Sequence, residues 1–378
     1  MERLGQSAIR SIHQKETKQM EAKLTKQELA RYNRHIIMPE IGMEGQMEIK
    51  RSKVLVIGAG GLGCPVLQYL GAAGIGYIGI VDGDQVDISN LQRQILFAES
   101  DIGKSKAEVA KQKLKAQNSL VHVHAYTTQF TPANAEAIVA NYDIVVDCTD
   151  NFPTRYLIND TCVRLNKPLV FASIYKFEGQ LSVFNYNNGP TYRCLYPSPP
   201  EEGDSPNCSE IGVLGVLPGL LGTLQANEVL KIILKKGDVA SGRLMVFNAL
   251  SLETTTFQFE LDQRNKVIDQ LEVIPFQCRP TNKLVSVESF KKMIRESAQY
   301  QLIDVRQTTE YNQHNIGGIS IPLNELKNRT AQLETTIPVV IVCQSGVRSL
   351  RAVEELMGLG FHNCISLEGG INGFTDNA

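Results

Sequence analysis

Residues 54–63 read VLVIGAGGLG, an apolar run that ends in Gly58, Gly60, Gly61 and Gly63. A short run of this kind, with no polar face, reads as a strand buried on both sides, and the glycines read as a tight turn into a helix. That pairing demands a parallel sheet covered by helices. The same rhythm continues along the chain. Strands are expected at 53–57, 77–81, 121–127 and 143–147, with helices at 25–33, 65–73, 104–117 and 133–139.

After residue 169 the texture changes. Segments 169–173, 180–185, 243–248 and 254–260 have hairpin or meander spacing, so the sheet is expected to continue in mixed sense. Residues 187–207 hold five prolines and read as a mobile crossover loop rather than a packed element. A long helix is expected at 211–234. A break at 275–283 precedes a second α/β pattern, with strands at 302–304, 339–343 and 364–367 and helices at 287–297 and 349–359. The expected organisation is a polar arm over 1–24, a first domain over 25–270, a linker over 271–283 and a second domain over 284–378. The fold class is α/β: a Rossmann-like nucleotide-binding domain with a mixed sheet extension, followed by a smaller α/β domain.

Bulk properties narrow the function. A net charge of −2 argues against a broad nucleic-acid surface. The first twenty residues lack an apolar core and so do not read as a secretory leader, and residues 211–224 are too short and glycine-rich to span a bilayer. Eight cysteines scattered over 378 residues suit a reducing, cytoplasmic setting better than a disulfide framework.

The glycine turn can bring phosphate oxygens to main-chain N–H groups at a helix N-terminus. Asp82 follows the next strand, where a carboxylate can bond ribose hydroxyls. A nicotinamide-dependent oxidoreductase would share these features. Asn90, Arg93, Gln94, Lys106, Asp150 and Asn151 shift the reading, because all leave the sheet on the edge that carries the glycines. An arginine, a lysine and a spare aspartate at one mouth suit a triphosphate with Mg²⁺ rather than a bridged diphosphate.

RYNRHI at 31–36, GAGGLG at 58–63, Asp82 and Asp84, SNLQRQ at 89–94, Lys106 and DCTDN at 147–151 together resemble the adenylyltransferases that activate ubiquitin-like sulfur carriers. These serve molybdopterin synthase and thiazole biosynthesis and are relatives of the ubiquitin-activating enzymes. The resemblance covers roughly residues 25–260. It implies that Gly58, Gly60, Gly61, Gly63, Asp82, Ser89, Asn90, Arg93, Gln94, Lys106, Asp150 and Asn151 form an ATP site, with Asp150 holding Mg²⁺. It implies a partner, a small carrier protein ending in Gly-Gly whose carboxylate attacks the α-phosphate. It also implies that Arg34 reaches the triphosphate of a neighbouring subunit, which requires a homodimer.

The second chemical signal is CQSGVRS at 343–349. Cys343 ends a β-rich run and precedes a helix, so the loop between can aim N–H groups at its sulfur, and Arg348 adds positive charge. A phosphatase loop is the competing reading, but it carries five residues between cysteine and arginine, and here there are four. This segment, with LIDVRQTTEYNQHNIGGISIPL at 302–323 and LEGGINGF at 367–374, resembles single-domain rhodaneses. Asp304, Arg306 and Glu310 are expected to form scaffold ion pairs.

Cys208 stands where the adenylyltransferase family has a cysteine that can link to the activated carrier, and it is weighed evenly between a functional and an incidental thiol. Many relatives bind zinc through two Cys-x-x-Cys pairs. Here Thr191 stands three residues before Cys194, and Cys278 has Pro275 and Thr281 at that distance, so zinc is expected to be absent. Cys64, Cys148, Cys162 and Cys364 read as packing residues.

The resulting expectation is a two-module enzyme. ATP and Mg²⁺ adenylate the carrier's terminal glycine. A Cys343 persulfide, loaded from a cysteine desulfurase or thiosulfate, then converts it to a thiocarboxylate. The competing classes are the oxidoreductase with an appended sulfurtransferase and a non-catalytic scaffold that docks the carrier. The carrier and its pathway (molybdopterin, thiazole or tRNA thiolation) are not legible in the sequence.

Overall fold

The computed structural model describes residues 23–199, 212–272 and 284–376. Residues 1–22 of the arm, Cys208, Cys278 and the prolines at 275 and 280 lie outside the described residues. The chain divides into two compact units, Met1–Phe276 and Gln277–Ala378.

The first unit opens with helices α1 (Lys26–Arg31), α2 (Asn33–Ile36) and α3 (Gly42–Arg51). A capping box starts α1, with the Thr25 side chain accepting from the Glu28 N–H and Glu28 accepting from the Thr25 N–H. Strand β1 (Lys53–Ile57) leads through the glycine turn into α4 (Gly63–Ala73), and β2 (Tyr77–Val81) follows. Then come α5 (Lys106–Gln117), β3 (His122–Tyr126), α6 (Ala135–Val139), β4 (Ile144–Asp147) and α7 (Phe152–Arg164). Strands β5 (Leu169–Tyr175) and β6 (Glu178–Phe184), helices α8 (Tyr192–Leu195) and α9 (Val216–Leu234), and strands β7 (Arg243–Asn248) and β8 (Thr254–Gln258) complete it.

The eight strands run in the order β3-β2-β1-β4-β5-β6-β7-β8. Pairing is parallel from β3 to β5 and antiparallel from β5 to β8, which is the mixed extension expected from the sequence. One apolar core packs Val54, Val56 and Ile80 against α4, α5 and α9. A second, on the opposite face, packs Leu55, Ile57 and Val145 against α6 and α7. Alternate residues of β1 therefore serve opposite cores, which is why the strand is apolar throughout.

Three departures from the sequence reading have physical causes. Helix α7 was not foreseen, because eight consecutive residues from Arg155 to Cys162 are buried and no polar face marks a helical period. Helix α3 was also missed; it anchors to the core through Ile49 and the buried side chain of Gln46. The first half of the proline-rich segment is packed rather than mobile. Tyr192 in α8 is 1% exposed and sits among Tyr156, Phe171, Phe184 and Tyr196.

The second unit is a five-stranded parallel sheet of order β11-β10-β12-β13-β9. In chain order it comprises β9 (Leu284–Val285), α10 (Val287–Arg295), β10 (Gln301–Asp304), α11 (Thr308–Gln313) and β11 (Ile319–Ser320). Strand β12 (Val339–Val342), α12 (Val347–Met357), β13 (Cys364–Leu367) and α13 (Gly370–Asp376) close it. Cores lie on both faces. Among the described residues, no helix is long and apolar enough to cross a membrane.

Candidate active sites

The order of the large sheet reverses between β1 and β4, and a crevice opens where the carboxyl ends of these strands diverge. A cavity of about 400 Å³ lies there. Loops after β1, β2 and β4 build most of its wall, and the β5–β6 hairpin and Val213 add to the rim.

The glycines have separable jobs. Gly58 has φ +93°, and a Cβ on it would lie 2.7 Å from the Cys148 carbonyl oxygen. A Cβ on Gly63 would lie 2.1 Å from the Gly58 carbonyl oxygen. Both are required by the chain's own packing. A Cβ on Gly60 would meet only the Gln94 amide, at 3.6 Å. The fold itself tolerates a side chain there, so a glycine at 60 points to what enters the cavity.

Asp82 holds the turn. Its Oδ2 accepts from the Ala59 N–H at 2.7 Å and its Oδ1 from the Asp84 N–H at 2.8 Å. Burial raises its pKa, and these two bonds only partly offset the rise. Lys106, 7% exposed, reaches from the first turn of α5 to Asp84 Oδ2 at 3.2 Å. The Arg93 guanidinium donates to the Ser89 carbonyl at 3.1 Å. Gln94 is buried, and its Oε1 lacks a partner among the described residues. Asp150 is exposed at the mouth, and Asn151 accepts from the Thr154 N–H at 3.0 Å as the N-cap of α7.

Of the residues singled out from sequence, Gly58, Gly60, Gly61, Asp82, Ser89, Arg93, Gln94, Lys106, Asp150 and Asn151 line this one cavity. Gly63 lies behind it as a packing residue. The Asn90 side chain accepts from the Asp87 N–H at 3.2 Å and closes its own turn instead. Arg34 is exposed on α2 and is not part of the cavity wall.

Sequence reasoning missed Arg155. It is 7% exposed, lines the cavity, donates to the Thr149 carbonyl at 3.1 Å and has Phe152 and Phe171 rings within 5.6 Å. Among the described residues its Nε has no partner, nor does Oδ2 of the buried Asp147. Burial raises the Asp147 pKa, with Arg155 and the Thr149 hydrogen bonds working against the rise. An arginine within a helix ordinarily reads as a solvated cation, and nothing local signals otherwise.

In the second unit, Cys343 leaves β12 with its residue 1% exposed. Its sulfur accepts from the Ser349 N–H at 3.3 Å and the Ser349 hydroxyl at 3.4 Å. Burial alone would raise the thiol pKa. The Ser349 bonds, with N–H donors of Ser345 and Gly346, outweigh it and hold the pKa below the ordinary value. Arg348 is turned to Glu310, with N···O distances of 2.7 and 2.8 Å. Arg348 is thus held by Glu310 while its charge still couples to Cys343, and the hydrogen bonds to the sulfur come from main-chain and hydroxyl donors. The Asp304–Arg306 pair is buried beneath the loop.

Cys194 is also a cradled sulfur. It accepts from the Thr191 N–H at 3.4 Å, the Asp262 N–H at 3.4 Å and the Asn265 amide at 3.7 Å. Among the described residues, no group of three or more His, Cys, Asp or Glu side chains could hold a metal ion. Cys64, Cys148, Cys162 and Cys364 are buried, and burial raises the pKa of each.

A crevice with phosphate-suited side chains in the doubly wound sheet of the first unit defines a nucleotide-binding module, and a thiol loop on the parallel sheet of the second defines a sulfurtransferase-like one. The ThiF family matches residues 32–268 and a rhodanese-like domain matches residues 286–377. The chain belongs to the ThiF family and carries a C-terminal rhodanese-like domain. It is 40% identical to the "Adenylyltransferase and sulfurtransferase MOCS3" of Drosophila sechellia, over 94% of this chain and 84% of that one. It is 39% identical to the "Probable adenylyltransferase/sulfurtransferase MoeZ" of Mycobacterium tuberculosis, over 92% of this chain and 93% of that one. A crystal structure of E. coli MccB with ATP is 26% identical, with a TM-score of 0.52, over 57% of this chain and 67% of that one.

Proposed function

We propose that this protein is an adenylyltransferase and sulfurtransferase. It binds ATP in the sheet-edge cavity, adenylates the C-terminal glycine of a ubiquitin-like sulfur carrier, and supplies sulfur from Cys343. Residues 25–270 are the adenylation domain, 271–283 the linker and 284–378 the rhodanese domain. One observation carries the reading: Asp82, Arg93, Lys106 and Asp150 line a single cavity in a chain whose other unit holds a thiol of lowered pKa.

The chain's own groups divide the work. The N–H groups around Gly60 and Gly61 face phosphate oxygens, and Asp82 faces the ribose. Lys106 exchanges Asp84 for the polyphosphate, and Arg93 joins it in neutralising the leaving diphosphate. Asp150, exposed and not engaged as Asp82 is, suits Mg²⁺, which binds one or two carboxylates together with substrate phosphates. When bound, Mg²⁺ supplies charge neutralisation at the phosphates. Arg34 serves the cavity of a second copy in a homodimer.

The carrier carboxylate attacks the α-phosphorus, diphosphate leaves, and an acyl-adenylate remains. A Cys343 persulfide attacks that carbonyl and AMP leaves, giving an acyl disulfide. Cys208 or another thiol then attacks the Cys343 sulfur. The new disulfide retains Cys343, and the carrier departs as a thiocarboxylate. A dithiol reductant resets the enzyme. The test incubates the full chain with ATP, Mg²⁺, a sulfur donor and Gly-Gly-ending carriers from the molybdopterin, thiazole and tRNA-thiolation pathways. AMP release and a sulfur-for-oxygen mass gain on one carrier are expected. Absence of AMP with every carrier would overturn the adenylation reading.

A further inference from the structure

Two arginines border the Cys343 loop, and each is already committed to a carboxylate. Arg306, 2% exposed, donates through Nε and Nη2 to Asp304 at 3.1 and 2.8 Å, and through Nη1 to Gln344 at 2.9 Å. Arg348 meets Glu310 in a two-point fork, Nη1 to Oε2 at 2.7 Å and Nη2 to Oε1 at 2.8 Å. Glu310 Oε2 also accepts from the Gln307 N–H at 3.0 Å, so its orientation is fixed by α11 and not by Arg348 alone. The next residue outward in the loop, Val347, is 72% exposed. Two guanidinium charges are therefore matched by two carboxylates, and ionisation of Cys343 leaves this group of five with one negative charge in excess.

That balance discriminates between sulfur donors. Thiosulfate is a dianion. The Cys343 thiolate attacks its outer sulfur, the S–S bond to the sulfonate breaks, and sulfite leaves with the electron pair. In a persulfide R–S–SH the thiolate attacks the terminal sulfur, the S–S bond joining it to the inner sulfur breaks, and R–S⁻ leaves with the electron pair, so Cys343 again carries the new sulfur. The first reaction brings two negative charges to an anionic loop, and the second brings fewer.

We propose that Glu310 is a specificity-determining positioning residue: by forking Arg348 it withholds that guanidinium from the loop mouth and tunes Cys343 toward persulfide donors and away from dianionic ones. The proposal rests on the reading of Cys343 as the sulfur acceptor. Glu310→Gln keeps an oxygen for the Gln307 N–H and removes only the charge, so the start of α11 is preserved.

The experiment uses the full chain with thiosulfate and with cysteine persulfide as probes, and reads sulfur on Cys343 by mass spectrometry and sulfite release. In Glu310→Gln, kcat/KM for thiosulfate rises about tenfold, mainly through KM, and the gain shrinks as salt is added. The value for cysteine persulfide changes less than about twofold. The gain disappears in the double variant Glu310→Gln with Arg348→Gln. An equal change for both donors, no change, or a gain that survives in the double variant would overturn the proposal while leaving Cys343 as acceptor. Failure of the unmodified chain to take sulfur from either donor would overturn that acceptor reading and the proposal with it.

Discussion

The sheet-edge cavity and the Cys343 loop solve the problem of holding an anion in opposite ways. The cavity assembles side chains from well-separated positions, Asp82, Arg93, Lys106 and Asp150, around a wide opening. Several of these groups are occupied by partners a ligand could displace, as with Lys106 on Asp84. The loop draws its donors from one short run, residues 345–349, and directs them at a single buried sulfur. The lesson is that a site for a large polyanion depends on charged side chains that can re-pair, whereas a site for one anionic atom can be made from main chain and a hydroxyl.

This contrast can be broken by substitution. The largest effect is expected from Asp150→Ala, which should lower ATP–diphosphate exchange by about 10³-fold while Cys343 still accepts sulfur. Cys343→Ala should do the reverse, and a joint loss in either variant would show that the two sites do not act separately. Next is Arg155→Leu, which removes the charge that works against the rise in the Asp147 pKa. Thermal or denaturant unfolding should record a loss of about 1–3 kcal/mol, from the lost hydrogen bond to the Thr149 carbonyl. A loss confined to catalysis would instead show that Arg155 serves the ligand alone.

Gly58→Ala and Gly60→Ala sharpen the division between fold and ligand. The first forces a side chain into a left-handed conformation against a carbonyl oxygen and should cost about 3 kcal/mol of stability. The second should leave stability within about 0.5 kcal/mol and weaken nucleotide binding. The smallest effect is expected at Ser349→Ala. Removing the hydroxyl that donates to the Cys343 thiolate raises the thiol pKa, so the alkylation rate profile should move to higher pH. An unmoved profile would place the whole effect on the main-chain N–H groups.

The two regions also differed in how far they could be read in advance. The loop was legible because its donors and its sulfur are neighbours in sequence. The parallel core of the large sheet was legible because strands such as β1 face two cores and stay apolar throughout. Helix α7 was not, since burial on all sides erases helical periodicity. Arg155 was hidden for the same reason. Asn90, grouped by sequence with Ser89, Arg93 and Gln94, has its side-chain oxygen accepting from the Asp87 N–H, a turn contact that the sequence alone does not show. The Glu310–Arg348 fork joins residues 38 apart, and while sequence suggested an ion pair for Glu310, it could not name the partner.

The arch from Gly58 to Gly63 has one further consequence. Steric contact at both ends and the Asp82 anchor on Ala59 set its shape when the chain folds. Capture of a ligand there calls for little rearrangement of the main chain, so the adjustment on binding falls on the cations that must exchange partners. Selectivity among nucleotides is then a property of those side chains, and changes at Arg93 or Lys106 can alter it without disturbing the arch.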